Sequence, residues 1–214
     1  MAKLSQIQQA YANPRVRKYL DFIAEAEGVQ HGYNTLFGNQ RFNNLGAHPN
    51  VRKSFKQTDG ATNYTTAAGR YQFLNGTWNN LAKQYGFRDF SPQSQDLGAI
   101  ALLAQNGALP YILKGDFSTA IQKSGRTWAS LPSSTYKQGK RSWDFVNKHL
   151  GSNIQQQQPN TQPQRAPIVG NWANLARSQD KRPAVGKWAE LTSQATRAPI
   201  VGNWSDLIKG NQGG

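Results

Sequence analysis

Cysteine is absent from the 214 residues, which excludes a disulfide frame, a thiolate metal site and a thiol nucleophile. The three histidines, His31, His48 and His149, are scattered, so no zinc cluster is expected and no cofactor is implied. Acidic residues are scarce: 11 Asp and Glu face 25 Lys and Arg, a formal net charge of +14. Such a chain is drawn to polyanions, whether nucleic acid, an anionic membrane surface or a bacterial envelope. A solvated basic surface is the plainer alternative. Long basic runs are missing too. No Lys/Arg run exceeds two residues, as at Arg52-Lys53, Lys140-Arg141 and Lys181-Arg182, which argues against a dedicated nucleic-acid site. Nothing approaches membrane-spanning length, and MAKLSQIQQAYANPRVRKYL has no apolar h-region. The expectation is a chain made in a cytoplasm without a signal peptide, with no membrane span. If it acts on an envelope, something else carries it there.

What is present divides into four parts. Residues 1–13 are polar and Gln-rich and read as an N-terminal arm. Asn13-Pro14 opens a helix, with Asn as cap and Pro at the first helical position, running to about Ala26. Thr58 to Thr66 reads as a β-hairpin with Asp59-Gly60 at its turn. A helical segment is predicted from Ala67 to Tyr85, with Tyr71, Leu74, Trp78 and Leu81 on one stripe. Ser91-Pro92 starts another helix through about Gln105, and short helices follow at 111–114, 117–123 and 142–150. Many short helices and one small hairpin make 14–150 an α+β domain, with Trp78, Trp128 and Trp143 expected in its core.

The composition then changes abruptly. Residues 151–164 (GSNIQQQQPNTQPQ) form a Gln/Pro-rich linker. Residues 165–212 are three 16-residue repeats in which Pro, Val, Gly, Trp and Leu recur in register, with Trp172, Trp188 and Trp204 at the same position. Sixteen residues cannot close a core alone. Either the copies pack on one another, or each docks its Trp and Leu on an external surface, which in tandem gives avidity.

The stretch FIAEAEGVQHGYNTLFG, residues 22–38, carries the chemistry. Glu27 continues the apolar stripe of Leu20 and Ile23, whereas Glu25 lies about 200° round the helix and faces water. Gly28 reads as the helix stop. A carboxyl on a core-facing stripe is desolvated, which favours its protonated form, and the negative end of the helix dipole acts the same way. A protonated glutamate at a helix end suits a general acid. A surface glutamate on a frayed last turn is the other reading of the spacing.

Seven landmarks then occur in order: AEG at 26–28, HGYN at 31–34, AGRYQ at 68–72, DFSPQSQD at 89–96, GALP at 107–110, GD at 115–116 and WASLP at 128–132. On these motifs the region from Lys18 to His149 resembles the phage lambda lysozyme family of lytic transglycosylases. The resemblance implies a lysozyme-like fold, mostly short helices with a small β-hairpin lobe bordering a cleft, acting on the glycan strands of peptidoglycan. It implies that Glu27 is catalytic and that Tyr33, Asn34, Arg70, Tyr71, Gln72 and Tyr136 bind substrate. For Tyr71, packing on the first helix is an equal alternative. His31 reads as shaping the loop beside Glu27 or as an ordinary hydrogen-bonded histidine. The loop from Val51 to Thr62 and the loop after WASLP correspond to two lips of the cleft. The chain departs from the family at Asn34, where a substrate-contacting carboxylate has become an amide. It also departs in the Val29-Gln30 connection, which is shorter, and at Ala26 and Ala67, which replace a Ser and a Gly.

A two-carboxylate glycosidase needs a second Asp or Glu across the cleft. Only eight acidic residues lie in the first 150. Asp59 sits at a hairpin tip, and Asp96 and Asp116 read as helix-cap or turn residues. The resemblance implies instead that one glutamate serves as acid and base while the sugar's own C6 hydroxyl attacks, leaving a 1,6-anhydro product. Hydrolysis with water recruited by Asp59 is the chemical alternative. Release by a holin or delivery by a virion fits the missing signal peptide. An ordinary lysis enzyme of this family needs no such tail. A virion structural protein whose lysozyme-like domain is an accessory anchored by the repeats is therefore the second reading, and cell-wall binding by the repeats is a third use of the tail.

Overall fold

The computed structural model describes residues 2–151. In order it contains α1 (Leu4–Tyr11), α2 (Pro14–Glu27), β1 (Thr35–Leu36), β2 (Gln40–Arg41), β3 (Lys53–Lys56), β4 (Thr62–Thr65), α3 (Asn75–Tyr85), α4 (Pro92–Gln105), α5 (Leu109–Lys114), α6 (Phe117–Ser124) and α7 (Trp143–Leu150). The linker after Gly151 and the three repeats lie outside the described residues. Among the described residues, no helix is long and apolar enough to cross a membrane.

Asn13 and Pro14 start the helix that positions the site. The Asn13 side chain accepts the Arg15 N–H at 2.9 Å and Pro14 takes the first helical position. Val16, Tyr19, Leu20, Ile23 and Glu27 are buried along α2, and Gly28 ends it at φ +68°. Helix α4 is the second axis. Every residue from Gln95 to Ala104 is buried, as expected of a helix that is apolar nearly all round and surrounded by others. Helices α1, α2, α3 and α5 pack on it. Trp78, Phe73 and Phe90 interlock edge-to-face beneath α3, and Trp128 has no exposed surface. Trp143 is half-buried, packed at the margin of this core. At the far end, the Lys18 ammonium donates to the carbonyl of Leu150 at 3.1 Å, tying the end of α7 to the first half of α2.

The expected hairpin is present, with a longer first strand. Strands β3 and β4 pair antiparallel, Lys53 opposite Thr65 and Lys56 opposite Thr62, around the Asp59-Gly60 turn. Phe55 faces inward onto Phe37. A second, two-residue pair joins β1 to β2.

Two expectations are corrected. The N-terminal arm is a helix, α1, which buries Ile7 and Ala10 against α4. Burying one Ile side chain stabilises by about 2 kcal/mol, enough to hold a helix too short to form alone. The segment from Ala67 to Leu74 is not helical, since α3 begins only at Asn75. Instead Ala68 and Phe73 exchange both backbone hydrogen bonds, at 3.0 and 2.8 Å, across a turn with Gly69 at φ +80° and Gln72 at φ +51°. A Cβ on Gly69 would lie 2.3 Å from the Gln95 side chain, so only glycine fits there. Tyr71 reaches the core from this turn, not from a helical stripe.

Candidate active site

Glu27 ends α2 with no exposed surface, while Glu25 is exposed. The Ser130 hydroxyl donates to Glu27 Oε1 at 2.5 Å, and Oε2 has no hydrogen-bond partner. Burial pushes the Glu27 carboxyl well above the ordinary carboxylate range, and Ser130 and the Arg141 charge pull only partly back. The group is therefore protonated under conditions where a surface glutamate is ionised.

Arg141 grips the end of this helix. Its Nε donates to the Ala26 carbonyl at 2.9 Å and its Nη2 to that of Glu25 at 3.3 Å. These are carbonyls of the last turn, which a cation at a helix C-terminus satisfies. The Arg141 backbone N–H donates to the Ser130 carbonyl at 2.7 Å. Residues 130–141 thus form a loop closed at its base.

The tip of that loop meets the β3–β4 hairpin. The Thr58 N–H donates to the Lys137 carbonyl at 3.2 Å, and the Lys137 ammonium pairs with Asp59 at 2.9 Å. The two expected lips are therefore in contact. Tyr136, half-buried on the same loop, donates its hydroxyl to the Arg126 carbonyl at 3.0 Å. Asp59 is exposed, and its pairing with Lys137 holds its carboxyl below the usual range.

The expected substrate-binding residues separate into two sets. Gln72 is fully buried, its Nε2 donating to the Gly69 carbonyl at 2.8 Å and its Oε1 without a partner. Asn34 donates from its side chain to the Phe42 carbonyl at 2.9 Å, tying the β1–β2 loop. Tyr33, Arg70 and Tyr71 turn their polar ends to Asp96 instead. The hydroxyl of Tyr71 donates to Asp96 Oδ1 at 2.6 Å, that of Tyr33 lies 3.0 Å away, and Tyr11 donates to Oδ2 at 2.9 Å. Arg70 pairs with Asp21 at 2.5 Å and stands 3.8 Å from Asp96. An open polar hollow here is lined by Tyr11, Arg17, Leu20, Asp21, Tyr33, Arg70 and Asp96, without Glu27. Asp96 is thus a buried hub, not the cap or turn residue expected of it, because it lies one turn inside α4 on the face that meets α1. Asp116 does cap its helix, accepting the Thr119 N–H at 3.0 Å. His31 is exposed, and its backbone N–H donates to Thr35 Oγ1 at 3.0 Å.

Three residues escaped the sequence reading: Ser130, Arg141 and Gln138. The Gln138 amide is buried with neither atom hydrogen-bonded. Ser130 stands inside WASLP, so its motif was visible but its partner was not. Arg141 and Gln138 carry no local signal, because their meaning lies in where the loop returns. Among the described residues, no group of His, Asp and Glu could hold a metal ion.

The family model described as Endolysin matches residues 17–153. The chain is 38% identical over 134 residues to the endolysin of Escherichia phage lambda, covering 59% of this chain and 82% of that one. It is 33% identical over 140 residues to the endolysin of Escherichia phage P2, covering 59% and 85%. The structure of bacteriophage lambda lysozyme complexed with a chitohexasaccharide is similar at a TM-score of 0.57 and 34% identity, covering 65% of this chain and 96% of the other. These likenesses bear out the α+β, lysozyme-like fold class. With fold and motif order in agreement with them, the chain belongs to the endolysin family, alongside lambda lysozyme.

Proposed function

We propose that the protein is a lytic transglycosylase acting on the glycan strands of peptidoglycan, with Glu27 as its single acid and base. Membership of the endolysin family supports the coarser statement, a peptidoglycan-degrading phage enzyme. The observation that carries the finer one is the Glu27 carboxyl itself: fully buried, bonded through Oε1 only, and free at Oε2. Oε2–H protonates the oxygen leaving C1 of N-acetylmuramic acid, and the C1–O bond breaks as the N-acetylglucosamine hydroxyl departs. The carboxylate then takes the proton of the N-acetylmuramic acid's own C6 hydroxyl. The C6 oxygen bonds to C1, which closes a 1,6-anhydro ring and restores the acid.

Asp59 suits the second-carboxylate role poorly. It lies exposed at the hairpin turn, engaged by Lys137 and by the Ala61 N–H. Gln72, with an unmet Oε1, Asn34 and Tyr136 on the lip loop are the positions assigned to sugar contact. Tyr33, Arg70 and Tyr71 support the turn that carries Gln72. Because the lips touch and Glu27 has no exposed surface, substrate entry requires the hairpin and the 130–141 loop to part. The repeats at 165–212 serve in this proposal as an anchor, to the wall or to a virion protein.

Mass spectrometry of the products released from purified peptidoglycan tests the chemistry. Anhydro-muropeptides from the wild type and none from Glu27→Gln are expected. Products with a reducing muramic acid would make the enzyme a hydrolase. Co-sedimentation of the full chain with purified sacculi, compared with a chain lacking 165–212, tests wall anchoring. Detection of the chain in purified particles tests the virion alternative.

A further inference from the structure

The 130–141 loop does more than border the cleft. Its two ends are joined by the Arg141 N–H to the Ser130 carbonyl at 2.7 Å, the closed base of an Ω-loop. Both base residues bear on one carboxyl. Ser130 donates to Glu27 Oε1 at 2.5 Å, and the Arg141 guanidinium spans the carbonyls of Ala26 and Glu25, the two residues before it. The Glu27 side chain and the backbone of the helical turn that carries it are therefore held by the same short segment. Resting on the proposal that Glu27 is the acid, we infer that Ser130 and Arg141 are positioning residues that reserve Oε1 as acceptor and leave the exchangeable proton on Oε2.

The chemistry follows from the donor direction. With a hydroxyl donating to Oε1, the hydrogen of the protonated carboxyl sits on Oε2, the oxygen with no protein partner. After that proton leaves, the same hydroxyl stabilises the carboxylate, as does the Arg141 charge. Burial alone would make a carboxyl that gives up its proton reluctantly. The two donors offset part of that, so Glu27 can act first as acid and then as base. Ser130 and Arg141 both act on its ionisation against the larger effect of burial.

The test is the pH profile of glycan cleavage by the full chain, comparing Ser130→Ala, Ser130→Thr and Arg141→Lys. Ser130→Ala should lower kcat by on the order of 10-fold, the worth of one hydrogen bond to a charged group, with KM little changed. Activity is lost at high pH as Glu27 deprotonates, so removing a donor to the carboxylate moves that alkaline limb upward. Ser130→Thr, which keeps the hydroxyl, should return the limb toward its wild-type position. Arg141→Lys keeps a charge but not the fork across two carbonyls, and should lower kcat while leaving the limb in place. An unmoved limb in Ser130→Ala, or a threonine variant no better than alanine, overturns the inference. If Ser130→Ala does not fold, as read by thermal unfolding, the threonine and lysine variants decide it. Glu27→Gln in the same assay separates the levels: residual activity there overturns the acid assignment itself, whatever Ser130 does.

Discussion

Two carboxyls are buried in this domain, and they are treated in opposite ways. Asp96, on α4, is 3% exposed and receives the hydroxyls of Tyr11, Tyr33 and Tyr71 with Arg70 nearby. Glu27, on α2, is 0% exposed and receives one hydroxyl. The first has both its oxygens met by donors, as a buried polar group requires. The second is left short of donors, so burial dominates and the proton stays on. Saturation makes a structural centre; deficit makes a chemical one.

The largest effect expected from breaking this contrast is in Glu27→Gln, which should lower glycan cleavage by on the order of a thousandfold or more. The same variant should raise thermal stability. In the native fold Glu27 is held protonated above its unfolded range, so its stabilising share is complete below about pH 4 and falls as pH rises. An isosteric amide removes that loss and should add about 1 kcal/mol at neutral pH, or roughly 3 °C in a thermal melt. A melt unchanged or lowered at pH 7 would contradict the deficit described for Glu27.

Asp96→Asn should behave oppositely. It leaves three tyrosine hydroxyls without their carboxylate, Arg70 keeping Asp21, and should destabilise by about 3 kcal/mol, measured by denaturant unfolding. Its activity per folded molecule should fall far less than that of Glu27→Gln. Tyr11→Phe removes one of those donors and should cost about 1 kcal/mol; a larger loss would mean that α1 had undocked. His48 extends the comparison to a base. Buried with its ring against Phe90 and a nitrogen 2.8 Å from the Phe73 carbonyl, it is pushed down to about 4. Its share of stability is present above the ordinary histidine range and is lost between about pH 6.5 and pH 4. His48→Gln should flatten that part of the stability profile. The smallest effect belongs to Lys137→Ala at the exposed lip contact, which should leave stability unchanged. If lip opening limits the rate, this variant should turn over slightly faster at low salt.

How much of this was legible follows residue by residue. Glu27 was readable because burial and helix position are both encoded in one stripe, Leu20, Ile23 and Glu27, ended by Gly28. Helix α1 was not, because its apolar side is only Leu4, Ile7 and Ala10 set among glutamines, and a neighbouring helix supplies the stability its own sequence lacks. Around Tyr71 the apolar spacing imitates a helix, and the left-handed Gly69 and Gln72 overrule it. Asp96 shows a further limit. An aspartate near a helix start resembles a cap until the folded chain shows three tyrosines from distant segments converging on it. Ser130 and Arg141 could be named in the sequence, but the pairing of a loop's two ends with a helix terminus is a property of closure alone.

The bond from Lys18 to the Leu150 carbonyl has a mechanical meaning. Lys18 and Glu27 are nine residues apart on one helix, about 14 Å along its axis. The chain therefore leaves the domain near the heel of α2, while the carboxyl stands at its toe. A load entering at Gly151 first meets α7 and the first half of α2. On the proposal that the repeats anchor the chain, the pull of that anchor enters the fold away from the catalytic carboxyl.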